Sequence, residues 1–186
     1  ILLEIVGGTD VPFSPTYDYF RHAYLELISR FGYSTKMKVL RRGYYPPGGG
    51  KVLFEFKGHN PKPIILEDCG RINEVHIFSS ASLTLKKPRV CERMSNAAAG
   101  LILKEMNLSP KRHIEYSDSL SDGCAICCVA EMEKGVISTD MLGKKGVPSE
   151  KVGNQCVPCP SPPVHWCELL PVTSLEAKLR SVVMDG

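Results

Sequence analysis

Two runs of alternating residues, joined by a connection longer than reversal needs, constrain this chain most. In the first, Met37 and Val39 alternate with Lys36 and Lys38; in the second, Val52, Phe54 and Phe56 alternate with Lys51, Leu53, Glu55 and Lys57. A period of two marks a strand with one face turned to a core. Between them lies RRGYYPPGGG, residues 41–50. A hairpin needs roughly two to five connecting residues, so the loop exceeds what chain reversal requires. Adjacent glycines let backbone N–H groups approach a ligand closely. Arg offers a fork matched to phosphate oxygens, and Tyr a ring on which a base can stack. The loop is either an oversized hairpin tip or a place where phosphate is held.

Charge placement bears on that choice, since a total of +3 is too small to decide anything. Between residues 36 and 57, Lys36, Lys38, Arg41, Arg42, Lys51 and Lys57 face only Glu55. Such a stretch attracts a polyanion; a solvated hairpin face is the competing reading.

The surrounding pattern predicts a mixed fold. ILLEIV reads as a strand, and GGTDVPFSP as a loop. A helix then starts with Ser14 as N-cap and Pro15 in its first turn, with Phe20, Ala23, Tyr24, Leu27, Ile28 and Phe31 on one face and Gly32 as C-terminal cap. After the proline-rich boundary at residues 60–63, INEVHIFSSASLTL reads as a strand. A helix opened by Pro88 carries Val90, Met94, Ala97, Ala98, Leu101 and Ile102 on its apolar face, with Cys91 beside the stripe, and runs to Pro110. HIEYSD, CAICCVAEM and GVISTD follow as three strands. With 43% hydrophobic and 23% charged residues in 186, this is enough for one ordinary domain or two small ones. No apolar run reaches the roughly 20 residues of a membrane span, and ILLEIVGG lacks a basic leader. The chain reads as soluble and intracellular, and its opening inside a strand as a piece of something longer.

Eight irregularly spaced cysteines fit reduced thiols better than a disulfide scaffold. Cys124, Cys127 and Cys128 sit in a strand, where positions i and i+3 point to opposite faces, so they read as small core residues. Cys156, Cys159, His165 and Cys167 have plausible zinc-ligand types, but proline-rich surroundings without a scaffold disfavour a site. His76 and His113 each stand alone in a strand and read as structural, and Glu92 with Arg93 as a solvated ion pair.

The stretches GGTDVPFSPTYDYFRHAYLELISRFG, RRGYYPPGGGKV, VCERMSNAAAGLIL, HIEYSDSLSDG and VISTDMLGKKGVPSEKVG resemble, in order and spacing, the RNA 3'-terminal phosphate cyclase family. The double tyrosine is closer to the cyclase branch than to the non-catalytic cyclase-like branch of ribosome assembly, which is the alternative as an RNA-binding module. The resemblance implies an α+β fold. Residues 1–60 would be most of one helix-and-sheet repeat unit, a partial cyclase large domain, residues 61–153 an inserted small α/β domain, and residues 154–186 a divergent, poorly packed tail with five prolines between Pro158 and Pro171.

It also implies a chemistry. Members adenylate a histidine with ATP and a divalent cation (Mg or Mn), pass AMP to an RNA 3'-phosphate, and let the 2'-hydroxyl displace AMP to leave a 2',3'-cyclic phosphate. A phosphate monoester is a poor electrophile until AMP becomes its leaving group. The family's adenylated histidine lies in a His-Thr-Leu-Thr-Asn-like motif absent from these 186 residues, so no catalytic residue is carried over, and His165 does not match it. The chain alone is expected to be inactive. What matches implies a nucleotide pocket bordered by Asp10, Pro12, Ser14 and Pro15. It also implies RNA or phosphate contacts from Arg41, Arg42, Gly43, Tyr44, Tyr45, Gly48, Gly49 and Gly50. Implied partners are RNA with a 3'-terminal phosphate and ATP, with no DNA and no membrane, in the cytoplasm or, in a eukaryote, the nucleus.

Overall fold

A computed structural model describes residues 1–58, 61–65 and 69–157. The two alternating runs pair as expected. β1 (Leu2–Gly7), β2 (Ser34–Arg41) and β3 (Gly50–Lys57) form an antiparallel sheet in the order β1-β3-β2. Met37 lies opposite Phe54 and Val39 opposite Val52, so their side chains share one face. The register slips between Val39 and Arg41, a bulge just before the long connection.

The second sheet is mixed. β4 (Ile72–Ser82), β5 (Lys111–Ser117), β6 (Cys124–Met132) and β7 (Val136–Leu142) lie in the order β5-β4-β6-β7. β4 and β5 run parallel, joined by helix α3 (Val90–Met106); the other pairs are antiparallel. α3 and α4 (Ser149–Cys156) cover one face, where Val75, Ile77, Met94, Ala98, Ile102, Ile126, Cys128 and Val152 make the core. The opposite face takes the helix of the first segment, whose His22 ring stacks 4.0 Å from Phe78. A mixed α+β architecture is therefore what the alternation of strand and helix periods produced.

Several boundaries differ from the sequence expectation. Thr16, not Ser14, caps the first helix, its hydroxyl accepting from the Tyr19 N–H, while Ser14 Oγ donates to the Val11 carbonyl. That helix has three parts: α1 (Tyr17–Tyr19), a π-helical turn (Phe20–Tyr24) and α2 (Leu25–Arg30). The wider turn inserts a residue and rotates the following positions, so Leu25 is buried and Tyr24, placed on the apolar stripe by simple periodicity, is exposed. β4 ends at Ser82 and Leu83–Leu85 form a 3-10 turn. α3 begins two residues after Pro88 and stops at Asn107, whose left-handed backbone sends its N–H to the Leu103 carbonyl before Pro110 is reached. Cys91, beside the predicted stripe, is fully buried.

Among the described residues Cys91, Cys124, Cys127, Cys128 and Cys156 form no disulfide, and alternation separates those of β6: Cys124 and Cys128 belong to the α3 side of the sheet, whereas Cys127 meets Ser138 Oγ at 3.2 Å on the other. Of the tail, Asn154 to Cys156 complete α4. Cys156 and Val157 are buried in the core, so packing continues past the expected limit at 153. Cys159, His165, Cys167 and the proline run lie outside the described residues.

Candidate nucleic-acid interface

The long connection is held in shape by the loop after β1. Thr9 and Asp10 donate their N–H groups to the Gly43 carbonyl at 2.9 and 3.1 Å, and the Gly43 N–H donates to Thr9 Oγ1 at 3.0 Å. Asp10 bridges to Tyr44 in parallel, and Gly48 N–H closes on the Tyr44 carbonyl at 2.9 Å. Gly43 stands where the two stems meet: a Cβ there would lie 2.3 Å from the Gly50 nitrogen. Gly48 and Gly49 adopt φ of +65° and +66°, where a side chain is strained. The peptide between Tyr45 and Pro46 is cis. The glycines thus let the chain close on itself and on residues 7–10. The N–H groups of Gly43 and Gly48 are already engaged inside the fold.

Arg42 organises the ground beneath these loops. It is 1% exposed, with Nη1 at 2.9 Å from Asp18 Oδ2 and 3.4 Å from Asp10 Oδ2, and Nη2 at 2.7 Å from Glu115 Oε2. The Tyr17 ring lies 4.7 Å from the guanidinium carbon. Three carboxylates around one cation explain the opposed shifts. Burial opposes the charged guanidinium, but Asp18, Asp10 and Glu115 outweigh it and hold Arg42 above its ordinary range. Burial raises the Asp10 carboxyl, and Asp18 adds to the rise against the pull of Arg42. Arg42 and Asp10, expected at a phosphate and a nucleotide, are therefore partners of each other in the interior. Sequence gave no signal for Asp18 or Glu115, since each becomes relevant only when the helix and β5 converge on Arg42.

The second segment supports the same loops. Ser121 Oγ donates to the Tyr44 carbonyl at 2.9 Å, and a Cβ on Gly123 would lie 2.2 Å from the Tyr44 ring. Tyr44 is consequently buried, and burial pushes its phenol well above the usual tyrosine range. Thr16 N–H donates to Asp140 Oδ2 at 2.7 Å, tying the helix start to β7.

What faces solvent is a smaller set: Pro12, Phe13, Ser14 and Pro15 on one loop, Arg41, Tyr45, Pro46 and Pro47 on the other. Phe13 has a positive φ of 67° and is fully exposed. Arg41 donates from Nε to the Gly49 carbonyl at 2.7 Å, which leaves its two terminal amino groups. The basic run also thins out, because Lys51 pairs with Glu4 at 2.8 Å and Lys57 with Glu55 at 3.6 Å. Lys36, Lys38 and Arg41 are exposed without an ion-pair partner among the described residues.

Both interlocked loops fall inside a match to the sequence model of the RNA 3'-terminal phosphate cyclase family, which runs over residues 1–165. The chain belongs to this family. Curated cyclases named "RNA 3'-terminal phosphate cyclase" agree: one from Saccharolobus islandicus (strain M.14.25 / Kamchatka #1) is 34% identical over 156 residues, 83% of this chain and 45% of its own length. One from Hyperthermus butylicus is 36% identical over 162 residues, 82% of this chain and 44% of its own. The chain thus spans a little under half the length of these cyclases. The family match continues to residue 165, past the position 154 at which a departure was expected. No helix among the described residues is long and apolar enough to cross a membrane.

Proposed function

We propose that this chain contributes the RNA-facing loop pair of an RNA 3'-terminal phosphate cyclase. The whole enzyme uses ATP and a Mg or Mn ion to adenylate itself, activates an RNA 3'-phosphate with AMP, and closes a 2',3'-cyclic phosphate, acting in the cytoplasm. The observation that carries the reading is the hydrogen-bonded lock between residues 9–10 and Gly43. It brings together two loops that carry exposed aromatic, proline and arginine residues, inside a family match. In this arrangement Arg41 and Tyr45 meet the RNA directly, while Arg42 and Asp10 hold the loops from beneath.

Mixing the chain with an oligoribonucleotide ending in a 3'-phosphate tests this. Binding should weaken with salt with a log–log slope of about −2, as expected for three cations (Lys36, Lys38, Arg41) on a single strand. An Arg41→Ala, Tyr45→Ala variant should lose roughly 1–3 kcal/mol, the scale of one stacked base. With ATP and Mg2+ or Mn2+ the chain alone should form no cyclic phosphate. Salt-independent RNA binding would remove the interface, and a stable AMP adduct would remove the claim that the covalent step lies elsewhere.

A further inference from the structure

His76, Glu74 and Glu131 form a cluster away from the loops above, on the face of the second sheet that takes the first helix. Glu74 and His76 are two apart on β4 and share that face, and Glu131 on β6 is directly opposite Glu74 in the antiparallel register. Two carboxylates facing each other across strands repel, unless something positive lies between them. His76 Nε2 is at 3.1 Å from Glu74 Oε2 and 3.5 Å from Glu131 Oε1. It is nevertheless shut off from solvent and makes no hydrogen bond of acceptable geometry. One ligand atom from each of the three residues lies within 4.8 Å of the other two. The two distances from Nε2 bracket ~3.3 Å, the edge of a tetrahedron whose ligands stand ~2.0 Å from a central ion.

The surroundings are those of a supported ligand set. His76 Nδ1 is 3.0 Å from His113 Nε2, so a His76 that gives its Nε2 lone pair to an ion can donate Nδ1–H to His113. His113 is fixed in turn by stacking on Phe78 at 4.5 Å, and Phe78 is covered by His22. Glu74 places its other oxygen, Oε1, 2.5 Å from Lys111 Nζ, which orients the carboxylate toward His76. The sequence expectation that His76 and His113 stand alone therefore fails: strand register brings them together.

We propose that Glu74, His76 and Glu131 bind one divalent cation of borderline character, of the zinc or cobalt type. One imidazole nitrogen and two carboxylate oxygens suit such an ion, and the exposed flank at Glu131 leaves room for water to complete its coordination. The ion would neutralise the opposed carboxylates and pin β4 to β6 at this end of the sheet.

Titration of the full chain with Co2+, read by visible absorption, tests the site. Thiolate-bound cobalt adds an intense near-ultraviolet band that this donor set lacks, so the eight cysteines are distinguishable. One equivalent with a nitrogen-and-oxygen spectrum is expected, with affinity falling about 10–100-fold in each of His76→Gln and Glu131→Gln. The Glu131 side chain is 58% exposed, so Glu131→Gln should keep the fold, as circular dichroism would verify. Cobalt uptake of thiolate type only, no uptake, or equal affinity in Glu131→Gln and the unaltered chain would each overturn the proposal.

Discussion

Arg42 grips Asp18 with both arms of its guanidinium, Nη1 at 2.9 Å from Oδ2 and Nη2 at 3.1 Å from Oδ1. Both residues are buried, and Asp10 and Glu115 complete the ring of acceptors. Removing the cation leaves two interior carboxylates without compensation. Arg42→Ala should therefore cost roughly 3–5 kcal/mol in urea unfolding. Arg41→Ala, one position earlier but at the surface, should stay within about 0.5 kcal/mol. Equal effects would show that Arg42 does not organise the interior.

Gly153 carries α4 against α3 at backbone distance. A Cβ there would meet the Met94 carbonyl oxygen at 2.2 Å, and main chain cannot rotate away as a side chain can. Gly153→Ala should force the helices apart and cost roughly 1–3 kcal/mol, despite the better helix propensity of Ala. A thermal melt decides the sign: a raised midpoint would mean propensity outweighs the contact.

His22 gives the stability a pH dependence. Burial, and next the neighbouring Arg21, lower its pKa from the usual 6.5 to about 4. The unfolded chain then takes up a proton below pH 6.5 that the folded chain refuses until about pH 4. Its contribution is complete above pH 6.5 and is lost as pH falls toward 4. Asp18, His113 and His76 also act on the ring, so the test is a difference. His22→Phe, which keeps the stack on Phe78, should flatten the slope between pH 6.5 and 4 in urea titrations run with a chelator present.

Cys91 should be inert. It is fully buried, and burial pushes its thiol up to about 12. At pH 8 a neutral alkylating reagent should leave Cys91 and the equally buried Cys127 unmodified in the native state, with labelling appearing only in denaturant. Peptide mass mapping reads this directly; native labelling of Cys91 would show that α3 opens readily.

Much was readable from the chain alone. Period-two alternation fixed β2 and β3, and CAICCVAEM gave β6 residue for residue, because one buried face imposes its pattern on every second position. The Thr16 cap was missed because Ser14 and Pro15 satisfy the same local rule two residues earlier. The split of the apolar stripe at Tyr24 and Leu25 was missed because a π-turn changes the period without a distinctive composition.

The site divides along the same line. That residues 41–50 exceed what a chain reversal needs was legible from length and glycine content. Which arginine faces out was not, since Arg41 and Arg42 are neighbours of one type. Only the convergence of Asp10, Asp18 and Glu115, from three separate elements, drew one of them inside. Likewise, Glu74, His76, His113 and Glu131 are unremarkable apart and become a cluster through strand register alone. Local pattern determines which element a residue joins, because hydrogen bonding and burial repeat with the chain. Which charges meet depends on how distant elements pack, and no spacing along the sequence records it.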